Sequence, residues 1–331
     1  MNTNSFGSKL AGGIKKFLWM AAIPVILFVI FWVATPGFGP NSILVILNQS
    51  MIPMAIGYGM CFLMKAGMME LSAGAQIILI GIVGVQFSKT FGMPGFIIGC
   101  IVTGVLTGLL KGAVFALLRI PSMVISLGMC LILEVIGRWI AGGKGKMDLD
   151  KSLGFIGKVP YNFVIIAILG ILFLLIFYNT AFGSHVRAIG NNEVVAKSLG
   201  IKPIKVKFLC YTVCGFFFGF AAILQVCYSN TIAAKMSMGS LPMVFKPMMG
   251  VLIGIELNRI YDNFLVNILV GELGMAIIFN GLMAAGLPTT IQDFVTGFFL
   301  LFVMLISANR ESAGDAIRRI KLRRQAAKQE G

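Results

Sequence analysis

The chain has 331 residues, a formal net charge of +15 and a composition that is 58% apolar and only 12% charged, with a mean hydropathy of +0.95. A water-soluble domain of this size needs far more polar surface, so a soluble enzyme or binding module is excluded; forty glycines and twenty-seven phenylalanines fit membrane helices packed on small residues. The basic residues lie between apolar runs and at the two ends, where anionic lipid headgroups are the natural counter-charge, so membrane lipids and not nucleic acid are the expected partner.

Residues 1–16 form a polar N-terminal segment ending in Lys15 and Lys16, and the apolar run 17–34 follows. That run continues into Thr35-Pro36-Gly37 rather than a small-x-small cleavage pattern, so it is a first span and not a removed signal. Further runs long enough to cross a bilayer cover 42–64, 71–88, 95–118, 122–141, 161–178, 206–228, 263–285 and 289–308. A shorter one, 243–257, is interrupted by Lys246, Pro247 and Gly250 and has the pattern of a broken or half-crossing helix, which needs protein or water over its backbone. The expected fold is all-α: a polytopic integral membrane protein of about ten helices, its membrane domain covering 17–308. Pro24, Pro53 and Pro247 mark kinks.

Lys and Arg set the orientation. With the N-terminus inside, the cytoplasmic segments hold Lys9, Lys15, Lys16, Lys65, Arg119, Arg187, Lys197, Lys202, Lys205, Lys207, Arg259, Arg310 and the tail residues Arg318, Arg319, Lys321, Arg323, Arg324 and Lys328. The outer segments hold only Lys89, Lys144, Lys146, Lys151, Lys158 and Lys235. Both termini are therefore placed in the cytoplasm, with 309–331 as a basic tail. The outer loop 142–160 shows no apolar periodicity. The inner loop 179–207 differs: Asn191 and Asn192 offer a cap, Glu193 to Leu199 can form about two turns and Gly200 can end them, giving a short helix on the cytoplasmic face.

Glycines four apart, Gly104, Gly108 and Gly112 in one run and Gly250 and Gly254 in another, predict close helix packing within the chain. The six cysteines (Cys61, Cys100, Cys130, Cys210, Cys214, Cys227) sit in or beside apolar runs without a CxxC pair and are expected to pack as small hydrophobes. His185 stands alone, so no metal site is expected. No GxxxxGK[ST] loop occurs, and Gly142-Gly143-Lys144-Gly145-Lys146 lacks its spacing. The chain thus has no ATP site of its own, is not expected to be an enzyme and calls for no cofactor.

Polar residues inside spans are costly and therefore candidate functional positions. Glu134 and Arg138 lie four apart on one helix face and are expected to neutralise each other, either as an internal pair or on a solute path. Asn48, Gln49, Gln225, Glu272, Asn280, Gln292 and Asp293 are further polar groups able to bind hydroxyls, and Tyr58, Trp139 or Tyr228 could supply an aromatic face beside them. Lys111 is expected to snorkel to the cytoplasmic headgroups, and Glu70 to serve a helix N-terminus structurally.

Several stretches resemble the permeases of bacterial ABC importers of the ribose/galactose type, within the branched-chain amino acid/ribose permease superfamily. They are Asn48-Gln49-Ser50 with Ala55-Ile56-Gly57-Tyr58-Gly59-Met60, then Ala66-Gly67-Met68-Met69-Glu70-Leu71-Ser72-Ala73-Gly74, then Ser126-Leu127-Gly128-Met129, and Asn280-Gly281-Leu282 with Gln292. The most specific is Thr180-Ala181-Phe182-Gly183 followed by Arg187-Ala188-Ile189-Gly190-Asn191-Asn192-Glu193, Ala196 and Ser198-Leu199-Gly200-Ile201. The resemblance implies a multi-pass subunit of the bacterial inner membrane that carries a monosaccharide or similar small polar solute. It implies separate ATPase subunits, an identical or different second permease subunit and an extracytoplasmic solute-binding protein as partners. It further implies that Gly190, Asn191, Asn192, Glu193, Ala196, Ser198, Gly200 and Ile201 couple the permease to the ATPase. Met68-Met69-Glu70, Glu134 and the stretch 249–257 depart from the family pattern, which leaves nucleosides or an autoinducer as alternative cargo. The competing reading is an ion-coupled secondary transporter using Glu134, Glu272 or Asp293.

Overall fold

The computed structural model describes residues 3–288 except 144, together with 291, 292, 294–299, 301, 302 and 305. Ten α-helices occur among them: α1 (Thr3–Ala34), α2 (Ser42–Lys65), α3 (Ala73–Leu118), α4 (Ser122–Ile140), α5 (Tyr161–Asn179), α6 (Ala181–Asn191), α7 (Glu193–Ser198), α8 (Pro203–Ser229), α9 (Pro242–Leu257) and α10 (Phe264–Ala284). Seven of these (α1–α5, α8 and α10) are long and apolar enough to cross a membrane. The described residues 291–305 are also helical in backbone, whereas Asp293 and the tail 309–331 lie outside the described residues.

The α3 helix is 46 residues long, about 69 Å if it were straight. That is more than twice the hydrocarbon thickness of a bilayer, about 30 Å. It is not straight: Gly92 leaves the helical region (φ 62°, ψ −145°), and the chain doubles back so that Gly99 packs on the Phe87 side chain. The two runs expected at 71–88 and 95–118 are thus the limbs of one hairpin. Glycine fits there because a positive φ strains any residue with a Cβ.

The bundle centre is α3 against α8. A Cβ on Gly104 would overlap the Gly215 carbonyl, and one on Gly108 would lie 2.5 Å from the Tyr211 carbonyl, so the two backbones touch. Between apolar helices in lipid, such close packing replaces the hydrophobic drive available in water. Beside it lies an aromatic core in which Tyr58 stacks on Phe173 (5.3 Å) and Phe62 lies edge-on to Phe177 (5.5 Å). The outer surface is equally apolar: Trp32, Val33, Ile98, Leu117, Val135, Ile168 and Ile171 are all exposed. A continuous belt of this kind suits acyl chains and not water.

The connections gather at two ends. At one, Lys65 Nζ donates to Asn191 Oδ1 (3.2 Å), Met69 N to Ser122 Oγ (3.1 Å) and Phe264 N to Tyr178 Oη (2.8 Å). Lys65, Arg119, Arg187, Lys197, Lys202, Lys205, Lys207 and Arg259 all belong to elements or turns meeting there. At the other end the loop 142–160 is more ordered than its sequence suggested. It holds strand β1 (Lys146–Asp148), antiparallel to β2 (Thr231–Ala233), and a 3-10 turn over Lys151–Gly157. Asp150 caps that turn, and the Ser152 N–H and hydroxyl on its carboxylate hold it below the usual carboxylate range.

From β2 the chain dips into the bundle. Ile232 meets the position of Gly81 and Ser240 that of Gly74, where a Cβ would overlap the Ser240 carbonyl. The α9 helix consequently starts inside the protein, against the first turn of α3. Its 16 residues span about 24 Å, short of a full crossing. The first helix begins at Thr3, and its stretch apolar enough to cross a membrane is Lys16–Ala34.

Candidate functional site

A cavity of about 400 Å³ opens between α2, α8 and α9, at the low end of the size of small-molecule sites, about 300–1,000 Å³. Its polar walls are Gln49 of α2 and Gln225 of α8, with Tyr228, Lys246 and the two helix prolines Pro53 and Pro247 beside them. Asn280 Nδ2 donates to Gln49 Oε1 (3.0 Å) and to the Ala276 carbonyl (2.8 Å), which fixes the Gln49 amide with its NH2 turned to other partners. Neither the Gln49 NH2 nor the Gln225 amide has a protein partner among the described residues. Proline has no N–H, so Pro53 and Pro247 deprive the carbonyls of Gln49 and Met243 of their helical donors. The cavity thus offers amide groups beside an aromatic side chain, which hydroxyl groups can bond and stack against. The Lys246 ammonium lies 3.7 Å from the centroid of the Phe279 ring.

The other path candidates are spread out. Asn48 accepts a hydrogen bond from Asn162 and ties α2 to α5, away from the cavity. Tyr58 is buried in the aromatic core, with Phe217 edge-on at 6.4 Å. Gln292 Nε2 donates to the Leu287 carbonyl (3.2 Å) beyond α10. Glu272 of α10 does not line the cavity; its carboxyl group sits in a slot against Gly57 of α2 and Gly250 of α9. Sequence spacing flagged Gln49, Gln225, Asn280 and Tyr228 without indicating that they converge, because convergence depends on the crossing of four helices.

The expected Glu134–Arg138 pair does not form. Glu134 Oε2 accepts from Met238 N (2.9 Å), and its Oε1 accepts from Ser240 N (2.8 Å) and the Ser240 hydroxyl (2.6 Å), while Arg138 and Trp139 point outward. Backbone N–H groups inside a membrane protein need an acceptor more urgently than an exposed guanidinium needs a partner. The carboxylate therefore seats the turn that leads into α9, a turn in which Ser237 and Met238 both hold positive φ. Ser240 carried no sequence signal beyond being a small polar residue near Pro242.

Lys111 also departs from expectation. It does not snorkel: it is 1% exposed and pairs with Glu70 at 2.9 Å, under the rings of Tyr211 and Phe218. Glu70 has the structural role expected of it, accepting from the Ser72 N–H (2.8 Å) and hydroxyl at the start of α3. Two buried carboxylates, Glu70 and Glu134, thus serve the entrances of two helices that abut at Gly74 and Ser240.

At the basic end, the loop 179–207 contains two helices instead of one. Thr180 caps α6 by accepting from Gly183 N (3.1 Å), and Asn192 caps α7 by accepting from Val195 N (3.0 Å). Gly200 ends α7 at φ 84°, as the sequence indicated, and Ile201 N returns to the Ala196 carbonyl (3.2 Å). Ala196 is buried, Ser198 bonds back to Val194, and Glu193 pairs with Lys207 (2.8 Å). Gly190 rests on the end of α2, where a Cβ would overlap the Lys65 carbonyl. Val194 and Leu199 are each 75% exposed, an apolar face beyond the belt of the bundle.

Fold and cavity define a class: a helical membrane protein with an open, solute-sized and mostly apolar cavity between its helices that carries a few amide groups, and a separate helical platform at one end. The chain belongs to the family described as the branched-chain amino acid transport system / permease component, which matches residues 42–304. It is accordingly a multi-pass inner-membrane transport component and not an enzyme. It is 27% identical to the galactofuranose transporter permease protein YtfT of Escherichia coli over 276 residues, 80% of this chain and 79% of that one. It is 23% identical to the ribose import permease protein RbsC of the same species over 310 residues, 88% and 93% of the two chains. With the fructose import permease protein FruF of Bifidobacterium longum it shares 26% over 233 residues, a match covering 65% of each chain and so slightly under two thirds of that relative. No solved structure matches the chain.

Proposed function

We propose that this chain is the membrane-spanning permease of an ATP-binding cassette importer, and that the chamber between α2, α8 and α9 carries a monosaccharide or similar small polar solute. The observation that carries the reading is the convergence of Gln49, Gln225 and Tyr228 on one cavity, in a chain of this family. Relatives are named for galactofuranose, ribose, fructose and autoinducer 2, all polar and rich in oxygen, which supports a hydroxyl-rich cargo. The membrane domain is 17–308 with ten passes of the chain, counting the two limbs of α3, the helix beyond residue 290, and α9 together with the segment that dips into the bundle before it. Both termini face the cytoplasm, in keeping with the basic residues gathered at the α6–α7 end.

ATPase subunits dock on that end. The exposed Val194 and Leu199 form the contact, and Gly190 against Lys65 passes the stroke to α2. A second permease subunit and an extracytoplasmic binding protein complete the assembly. The test is uptake of labelled sugar by the reconstituted complex carrying Gln49→Leu with Gln225→Leu. Losing two hydroxyl partners is expected to raise the apparent KM about tenfold or more, with basal ATP hydrolysis unchanged. An unchanged KM contradicts the assignment of the chamber.

A further inference from the structure

Glu272 is 1% exposed, and neither of its carboxyl oxygens has a hydrogen-bond partner among the described residues. Burying a carboxyl group without partners is among the most expensive things a membrane helix can do, and such groups are kept where another state of the protein uses them. The slot that holds it is shaped for it. A Cβ on Gly250 would lie 2.5 Å and 2.6 Å from the two carboxyl oxygens, and one on Gly57 would lie 2.9 Å from Oε1. Side chains at either position would exclude the group, and the glycines leave it room without satisfying it.

The location gives the slot a purpose. Ile56 and Pro247 line the chamber above, and Gly57 and Gly250 follow them on the same two helices. Val251 and Ile268 also pack at the Gly57 position, beside the carboxyl. Pro53 and Pro247 lie inside those helices, one turn to the cavity side of the glycines, where the missing N–H weakens the helix.

We propose that Glu272 is a second solute station: when α2 and α9 part at Gly57 and Gly250, its carboxyl group takes up hydroxyls of the solute arriving from the chamber. The inference rests on the reading of the chain as carrier of a hydroxyl-rich solute. The group has no hydrogen-bond partner among the described residues, and the solute supplies those bonds once the helices part. Gating and recognition then fall on one residue, because a solute without hydroxyls offers nothing to stabilise the opened slot.

The test compares Glu272→Gln and Glu272→Met in the complete complex in proteoliposomes, using labelled D-ribose, D-fructose and D-galactose as probes. Glutamine keeps hydrogen-bonding capacity and is expected to retain uptake within about threefold; methionine fills the slot but cannot bond, and uptake is expected to fall about tenfold or more. Membrane level should not change. Methionine uptake equal to wild type overturns the proposal and leaves the slot as packing. Equal loss in both variants, with wild-type uptake that follows pH, also overturns it, in favour of a proton carrier. Wild type inactive on all three probes instead defeats the underlying sugar reading. Should Glu272→Met fail to insert, Glu272→Cys gives a separate readout, since the six native cysteines are buried. A small thiol reagent should label this variant only during solute-driven turnover, and absence of labelling under those conditions refutes the opening of the slot.

Discussion

Replacing Lys111 by methionine removes one half of an ion pair in which Lys111 and Glu70 are 1% and 0% exposed and 2.9 Å apart. The methionine keeps most of the stem that packs under Tyr211 and Phe218, so the loss is mainly electrostatic. Removing one partner of a buried pair leaves an uncompensated charge and costs about 3–5 kcal/mol. At about 1.4 kcal/mol per tenfold, that is roughly a hundred- to four-thousandfold in the folded-to-unfolded ratio. The cost falls on the start of α3, because the same carboxylate holds the Ser72 N–H. Glu70→Gln together with Lys111→Met should recover most of the loss, since no isolated charge remains. Reversible unfolding in mixed micelles, followed by far-UV circular dichroism, measures all three variants on one scale. If Lys111→Met lies within about 0.5 kcal/mol of wild type, as for a residue that reaches the headgroups, the buried pair is refuted. A double variant no more stable than the single one refutes it equally.

Gly200→Val meets no steric neighbour but forces a β-branched residue to φ 84°, a local strain of about 1–3 kcal/mol. Membrane levels should stay normal while sugar-stimulated ATP hydrolysis and uptake are lost together; intact coupling would reduce the loop to a connector. Gly190→Ala places a methyl on the Lys65 carbonyl and should lift α6 from the end of α2. Uptake should fall with ATPase binding retained, and unchanged uptake would remove α6 from the coupling route.

Sequence periodicity made the spanning runs and the α7 helix with its Asn192 cap and Gly200 stop readable, because length, hydropathy and capping are local properties. It could not place the polar residues. Glu134 and Arg138 share a helix face, so helical spacing suggested a pair, yet Glu134 is claimed by backbone N–H groups more than a hundred residues away. Lys111 sat close enough to a helix end for snorkelling, but the partner that buries it, Glu70, comes from a turn on the far side of the α3 hairpin. The α6 helix escaped notice because its cap, Thr180, follows directly on the end of α5. Gln49 and Asn280 lie 231 residues apart, and only the crossing of α2 with α10 makes them one unit.

The most direct test is uptake of labelled sugar into vesicles containing the chain, with its ATPase and binding protein either present or withheld. The account predicts uptake only when ATP and the ATPase subunits are supplied on the α6–α7 side, no uptake under a proton or sodium gradient alone, and no ATP hydrolysis by the isolated chain. Gradient-driven uptake by the chain alone would contradict it and make this an ion-coupled carrier.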